Sequence, residues 1–257
     1  MSDLPDLNGK VALVTGSARR NGKAIAKRLA AAGASVVITS HTAIEKAEAV
    51  VAEIEREHGK GRAIACLADV TDEAAVNAMV AKAVETLGRL DILINNASIR
   101  LHAPIAELKL DDWHKVLRTV LDGAFLCAKA AAPHLARSGH GIIINTGGAS
   151  AHLGGRNNLP VMTAKQGIIG LTRALAYELG PQGITVNCVS PGLITAPEDS
   201  AKQTERMRVV FRPERVPLGR MGDIEELAAA VVALCGPAFG YMSGQVIHVN
   251  GGVYLGS

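Results

Sequence analysis

Val11-Ala12-Leu13-Val14-Thr15-Gly16-Ser17-Ala18-Arg19-Arg20-Asn21-Gly22-Lys23 is the stretch on which the fold turns. Four apolar residues read as a buried strand, the next segment carries two glycines, and a helical pattern opens at about Lys23. A strand that enters a helix through such a turn aims backbone N–H groups and the positive end of the helix dipole at one place, which suits a pyrophosphate. One such turn is a moderate signal. Its weight depends on whether the same pattern continues along the chain.

It does. Short Val- and Ile-rich runs at residues 10–14, 35–39, 63–67, 92–94, 141–145, 185–189 and 246–249 alternate with helical patterns at 22–32, 44–58, 73–87, 111–136, 163–179 and 223–235. This alternation predicts repeated βαβ units, and strands that are apolar throughout predict a sheet covered on both faces. The expected fold is α/β, a Rossmann-like doubly wound seven-stranded parallel sheet with helices on both faces. At 257 residues and 48% hydrophobic, the chain reads as one domain over 1–257. Residues 193–220 follow a strand, lack a clear period and read as a substrate loop or lid.

Composition narrows the function. Against 27 basic residues stand 24 acidic ones, and no basic stripe interleaved with aromatics argues for nucleic acid. No run approaches the length needed to span a bilayer, residues 1–10 lack the apolar core of a signal peptide, and a cytoplasmic protein is expected. Cys66, Cys127, Cys188 and Cys235 are scattered without CxxC spacing, so reduced core thiols are expected and no metal site.

Three further segments follow predicted strands: Ala68-Asp69-Val70-Thr71-Asp72, Leu93-Ile94-Asn95-Asn96-Ala97-Ser98 and Asn187-Cys188-Val189-Ser190-Pro191-Gly192. Together with the opening turn they resemble the short-chain dehydrogenase/reductase family in order and spacing, over essentially the whole chain. The usual first motif is TGxxxGxG; here Arg20 replaces the middle glycine, which, like Asn-Asn-Ala-Ser, is similar to the pteridine reductases. The resemblance implies a nicotinamide cofactor. It places Gly16, Ser17, Arg20 and Gly22 along the phosphates, Asp69 and Val70 beside the adenine, and Asn95 and Ala97 at the cofactor and sheet. Pro191, Gly192 and Thr195 fall near the diphosphate, and Lys165 on the nicotinamide ribose.

The end of the second strand chooses between cofactors, because an acid there binds the ribose hydroxyl of NAD and repels the phosphate of NADP. The residues are Thr39-Ser40-His41-Thr42, with no acid; with Arg19 nearby, NADP is favoured over NAD.

The catalytic unit implied by the family is a Tyr, a Lys four residues on, a Ser thirteen residues before the Tyr and an Asn in the preceding long helix. Alignment on Lys165 puts Val161 at the Tyr, Gly148 at the Ser and Val120 at the Asn. Only Lys165 remains. Neither valine nor glycine transfers a proton, which disfavours ketone reduction but not hydride transfer to an activated C=C or C=N bond. His152 and His102 are the substitute acids to consider, since histidine titrates near neutrality. The reading is therefore an NADP(H)-dependent oxidoreductase with a non-standard site. Its rival is a catalytically silent nucleotide-binding subunit or sensor. The cations among 202–220, Lys202, Arg206, Arg208, Arg212, Arg215 and Arg220, are compatible with an anionic small-molecule substrate. The resemblance also implies a homo-oligomer, commonly a tetramer.

Overall fold

In the computed structural model, which describes residues 5–197, 199 and 213–256, the first half of the chain runs β1 (Val11–Val14), α1 (Arg20–Ala31), β2 (Ser35–Ser40), α2 (Ile44–His58), β3 (Ala63–Leu67), α3 (Glu73–Leu87) and β4 (Ile92–Asn95). There follow α4 (Leu110–Leu117), a π-helical turn (Arg118–Asp122), α5 (Gly123–Arg137), β5 (Gly141–Thr146), α6 (Ser150–Leu153), α7 (Leu159–Leu179) and β6 (Ile184–Pro191). The chain then gives β7 (Ile194–Thr195), β8 (Gly222–Asp223), α8 (Ile224–Ala233) and β9 (Val246–Val249).

Successive residues of a strand face opposite sides of its sheet, and β1 divides accordingly between two cores. Ala12 and Val14 join Val36, Ile38, Ile92 and Ile94 beneath α1, α2 and α8. Val11 and Leu13 join Val37, Leu93 and Ile143 beneath α3 and α5. Both faces of the strand are therefore dry, which is why its sequence is apolar without alternation. A third apolar cluster lies between the π turn and α7, around Val116, Val120, Val161, Ile168 and Cys188.

Seven strands pair in parallel in the order β3-β2-β1-β4-β5-β6-β9. Strand order reverses between β1 and β4, where Val14 pairs with Ile38 on one side and Ile94 on the other. Helices leave these two neighbours toward opposite faces, so a crevice opens at their carboxyl ends, the place where doubly wound sheets bind ligands.

Several boundaries differ from the sequence expectation for identifiable reasons. Helix α7 starts at Leu159, four residues before Thr163, because Pro160 in its first turn needs no N–H partner there. The expected single helix over 111–136 contains a π turn at Arg118–Asp122, a one-residue excess that hydrophobic periodicity does not register. The β7–β8 pair was not legible in the sequence; it is two residues long, and Thr195 pairs with Asp223. Asp223 then caps α8, its carboxylate accepting from Glu225 N at 2.7 Å while Glu226 Oε2 accepts from Asp223 N at 2.8 Å.

A buried polar chain locks the sheet to its helices. Asn95 Nδ2 donates to Asn145 Oδ1 at 2.9 Å, Asn145 Nδ2 donates to Thr172 Oγ1 at 2.9 Å, and Thr172 Oγ1 donates to Ile168 O at 2.7 Å. Asn145 and Thr172 are wholly inaccessible to solvent. Thr172→Val would leave the Asn145 amide without its acceptor, at a cost of about 1–3 kcal/mol, while Thr172→Ser would keep most of the stability. Denaturant unfolding of the two variants checks this.

Candidate active site

The crevice is built first from glycines. Gly16 takes φ +63°, and a Cβ there would come 3.1 Å from Ala97 Cα; a Cβ on Gly22 would lie 2.5 Å from Gly16 O and 2.6 Å from Asn96 Nδ2. Gly22 thus lets α1 press its first turn against the end of β1. Hydrogen bonds fix the turn from beneath. Asn96 N and Ala97 N donate to Thr15 Oγ1 at 2.9 and 3.0 Å, and Asn96 Nδ2 donates to Thr15 O at 2.9 Å and Gly16 O at 3.1 Å. The N–H groups that open α1, starting at Arg20, have no acceptor within the helix and face the crevice end of the sheet. Such a cradle fits the diphosphate of a nicotinamide dinucleotide.

Ser17 plays a different part from the one expected. Its hydroxyl donates to Val14 O at 2.7 Å and accepts from Thr39 N at 2.9 Å, and its own N–H donates to Thr39 O at 3.0 Å. The side chain is buried and ties β1 to β2, so the Ser17 hydroxyl is engaged within the fold. Arg19 is the extended residue before α1. Arg20 has φ +46° and forms an ion pair with Asp199, which also accepts from Ala196 N at 2.9 Å. The sequence gives no sign of that pairing, since the two residues lie 179 positions apart.

At the other end of the crevice, His41 Nε2 lies 3.2 Å from Asp69 Oδ2. Burial raises the Asp69 carboxyl, but the Thr71 amide and hydroxyl, with His41, more than offset it and hold it below its ordinary value. Val70 packs against Gly123, where a Cβ would meet its Cγ2 at 2.8 Å. Gly192 passes Asn250 so closely that a Cβ would stand 2.6 Å from Asn250 Cα; Pro191 O accepts from Ala149 N at 2.8 Å, and Thr195 Oγ1 donates to Gly222 O at 3.2 Å.

Lys165 closes a small cleft that Asn95, Ala97, Thr119, Val120, Thr146 and Ile168 also line. Its Nζ donates to Thr146 O at 2.5 Å, and burial brings its pKa down to about 8, opposed in part by Cys188 and helped slightly by Arg100. Among the described residues that line this cleft it is the only titratable one. Asn95, also on the lining, has its Oδ1 buried without a hydrogen-bond partner. Val161 and Val120 are 4% and 2% exposed and belong to one apolar cluster, which makes a dry wall beside Lys165. At Gly148 the nearest atom to an added Cβ is Ser150 Oγ at 3.7 Å, which leaves room for a side chain that is not there.

The two candidate histidines are not brought to Lys165. His152, on α6, stacks on Tyr254 with ring centroids 4.4 Å apart and meets His248 edge-on at 4.9 Å; burial lowers its pKa, and it is not part of the cleft lining. His102 is exposed, in a loop held by a hydrogen bond from Ala103 N to Asn157 O at 3.1 Å. Glu198, Lys202, Glu205, Arg206, Arg208 and Arg212 of the expected substrate loop lie outside the described residues. Arg215 and Arg220 are exposed, and Arg220 pairs with Glu226 at 2.7 Å. Arg100, missed in the sequence because a lone loop arginine carries no pattern, stands close enough to Lys165 to depress its pKa.

Comparison with known proteins agrees with this geometry. The family model described as enoyl-(acyl carrier protein) reductase matches residues 16–254. The (2S)-[(R)-hydroxy(phenyl)methyl]succinyl-CoA dehydrogenase subunit BbsD of Thauera aromatica is 40% identical over 248 residues, 96% of this chain and 97% of that protein. The chain belongs to the short-chain dehydrogenase/reductase family. The 3-oxoacyl-[acyl-carrier-protein] reductase FabG of Aquifex aeolicus is 37% identical, with coverage of 96% and 98%. Among solved structures, a gluconate 5-dehydrogenase from Burkholderia cenocepacia J2315 in complex with NADP and tartrate is 33% identical with a TM-score of 0.86, covering 96% of both chains. As a member of the family the protein is an NAD(P)-dependent oxidoreductase of Rossmann-like fold.

A buried lysine with a depressed pKa destabilises the folded state wherever it must remain charged. Between about pH 8 and its unfolded value of 10.5 the unfolded chain holds more protons, so stability rises with pH across that window. Lys165→Met is therefore expected to raise the melting temperature of the cofactor-free protein at pH 7. The gain, on the order of 3 kcal/mol at most before the lost Thr146 bond is subtracted, should shrink between pH 8 and 10.5. Thermal melts of both proteins across that range measure it.

Proposed function

We propose that the protein is an NADP(H)-dependent oxidoreductase that reduces an activated C=C or C=N bond rather than a ketone. The observation that carries this is the apolar cluster of Val120 and Val161 beside Lys165, which fills with aliphatic carbon the positions that the sequence aligns with the family's Asn and Tyr. NADPH, when bound, supplies hydride to the β-carbon of the substrate. The π electrons of the C=C bond then move toward the activating group, and the α-carbon takes a proton. Lys165 Nζ is the residue positioned to deliver it, since a pKa near 8 matches an acid working around neutrality. Lys165 also holds the nicotinamide ribose, and the apolar wall excludes water from the reacting carbons.

The choice of NADP is supported by the absence of an acid at Ser40-His41-Thr42 and by the basic residues Arg19, before α1, and His41, after β2, with the gluconate 5-dehydrogenase complex as a related precedent. An anionic substrate is supported by two relatives named for succinyl-CoA and acyl-carrier-protein compounds, and by the tartrate of that same complex. Assembly as a homo-oligomer is proposed on family membership alone.

A panel of enoyl, imine and ketone substrates with NADPH tests the reading. Turnover of enoyl or imine substrates, weak or absent turnover of ketones, and a rate that falls as pH rises through about 8 are expected, with the pH dependence lost in Lys165→Met. Tight NADPH binding without any turnover would favour the silent subunit, a reading that the word "subunit" in the name of the Thauera relative makes concrete.

Val161→Tyr alone is expected not to restore ketone reduction, because Ser and Asn are missing as well and the ring must enter a packed cluster at about 1–3 kcal/mol. The triple change Val161→Tyr, Gly148→Ser and Val120→Asn should raise ketone turnover by about 100-fold or more over the single variant. Steady-state rates on a ketone panel decide between them.

A further inference from the structure

Three rings meet beside the last strand of the sheet. His152 on α6 stacks on Tyr254 with centroids 4.4 Å apart, and His248 on β9 meets both His152 and Tyr254 edge-on at 4.9 Å. Tyr254 belongs to the segment that follows β9. Asn250 folds that segment back, its Nδ2 donating to Tyr254 O at 2.9 Å and its Oδ1 accepting from Gly252 N at 2.9 Å. The rings thus join three separate stretches of chain: α6, β9 and residues 250–256.

The polar atoms of the cluster are left without partners. His152 Nε2 and His248 Nδ1 are buried, and among the described residues neither has a hydrogen-bond partner. A neutral imidazole needs no acceptor for its unprotonated nitrogen. An imidazolium is a donor at both nitrogens, so its buried N–H would carry charge with nothing to receive it. Two imidazoliums in contact would also repel each other.

No countercharge stands against the rings among the described residues. The titratable group of α6 is His152 itself, that of β9 is His248, and that of residues 250–256 is Tyr254. From β6 come Cys188 and Ser190, the latter paired in register with His248 and its Oγ buried without a partner as well. From the start of α7 comes Lys165, a further cation, whose Nζ donates to Thr146 O; Arg156, between α6 and α7, is exposed. Val216, Pro217 and Leu218, which lie on Gly251 and Gly252, are apolar. Ser257 and the terminal carboxylate lie outside the described residues, and an α-carboxyl ordinarily titrates near about 3.5, far below histidine.

We propose that His152, His248 and Tyr254 form an acid-released staple, which docks residues 250–256 on α6 while both imidazoles are neutral and frees them once the imidazoles are protonated. Burial lowers the pKa of both histidines from the ordinary 6.5, and His152 lowers that of His248 further. The freed segment therefore binds more protons than the docked one, and docking is firm above about pH 6.5 and weakens as pH falls below it. The staple does not depend on which bond the crevice reduces.

The test follows the segment on the intact protein. A carboxypeptidase trims the C-terminus, mass spectrometry times the loss of Tyr254, and each rate is divided by that on the free peptide of residues 250–257 at the same pH. Between about pH 8 and about pH 5.5 this ratio is expected to rise about tenfold or more, since each unit of pKa difference is worth about tenfold in the docking equilibrium. His152→Phe keeps a flat ring against Tyr254 and takes no proton, so it should show at most about a third of that rise, and His152→Phe with His248→Phe none. Tyr254→Ala should be trimmed at about the peptide's rate at either pH. The proposal is overturned if the parent's ratio stays level, if the double variant rises as the parent does, as general acid unfolding would make it, or if Tyr254→Ala is protected like the parent. Should the double variant lose its segment already at the higher pH, His152→Phe decides alone, and an undiminished rise there overturns the proposal.

Discussion

Everything at the working edge of this protein hangs on the contact between the end of β1 and the end of β4. Thr15 receives two backbone N–H groups from the far side, and Asn96 returns its side-chain amide to the carbonyls of Thr15 and Gly16. These bonds close the floor of the crevice where strand order reverses. Gly22 presses directly onto the same amide, so the position of α1 is set by the junction too. With the floor fixed, the first turn of α1 is held in place before any ligand arrives, as a site for an anionic group requires.

The catalytic half of the crevice was assembled on different terms. The polar chain Asn95–Asn145–Thr172 carries rigidity from β4 through β5 into α7 and so fixes the helix that bears Lys165. Yet the side of α7 that would present a proton donor presents Val161 to an apolar cluster. The order of α7 and the apolar surroundings of Val161 thus sit side by side on one helix. The two are physically separable, because the network that orders α7 lies beneath the sheet-facing residues and does not pass through position 161.

The fold was legible because its signals are periodic. Strands such as Val11–Val14 are apolar on both faces, and α1 repeats its core residues Ile25 and Leu29 at helical spacing. The cradle was legible because glycines at 16 and 22 answer to steric limits that only glycine meets. What could not be read were properties of pairs and surroundings. The hydroxyl of Ser17 looks available in the sequence and is committed to Val14 and Thr39 in space. The ring of His152 lies on the expected loop, and its direction is set by Tyr254 and His248, roughly a hundred positions further on.

The π turn at Arg118–Asp122 has a bearing on how this site came to be, and how it is to be altered. One residue more than an α-helical turn requires is accommodated there, and each residue of an α-helix advances the side chains by about 100°. Removing a single residue from the turn would regularise the helix and rotate α4 relative to α5 by that angle, carrying Val116 out of the cluster it shares with Val161. The apolar wall is thus a matter of helical phase as much as of residue identity. Sequence comparisons that slide a gap through 118–122 will therefore pair side chains that face different ways, and chimeras with relatives are best joined outside that segment.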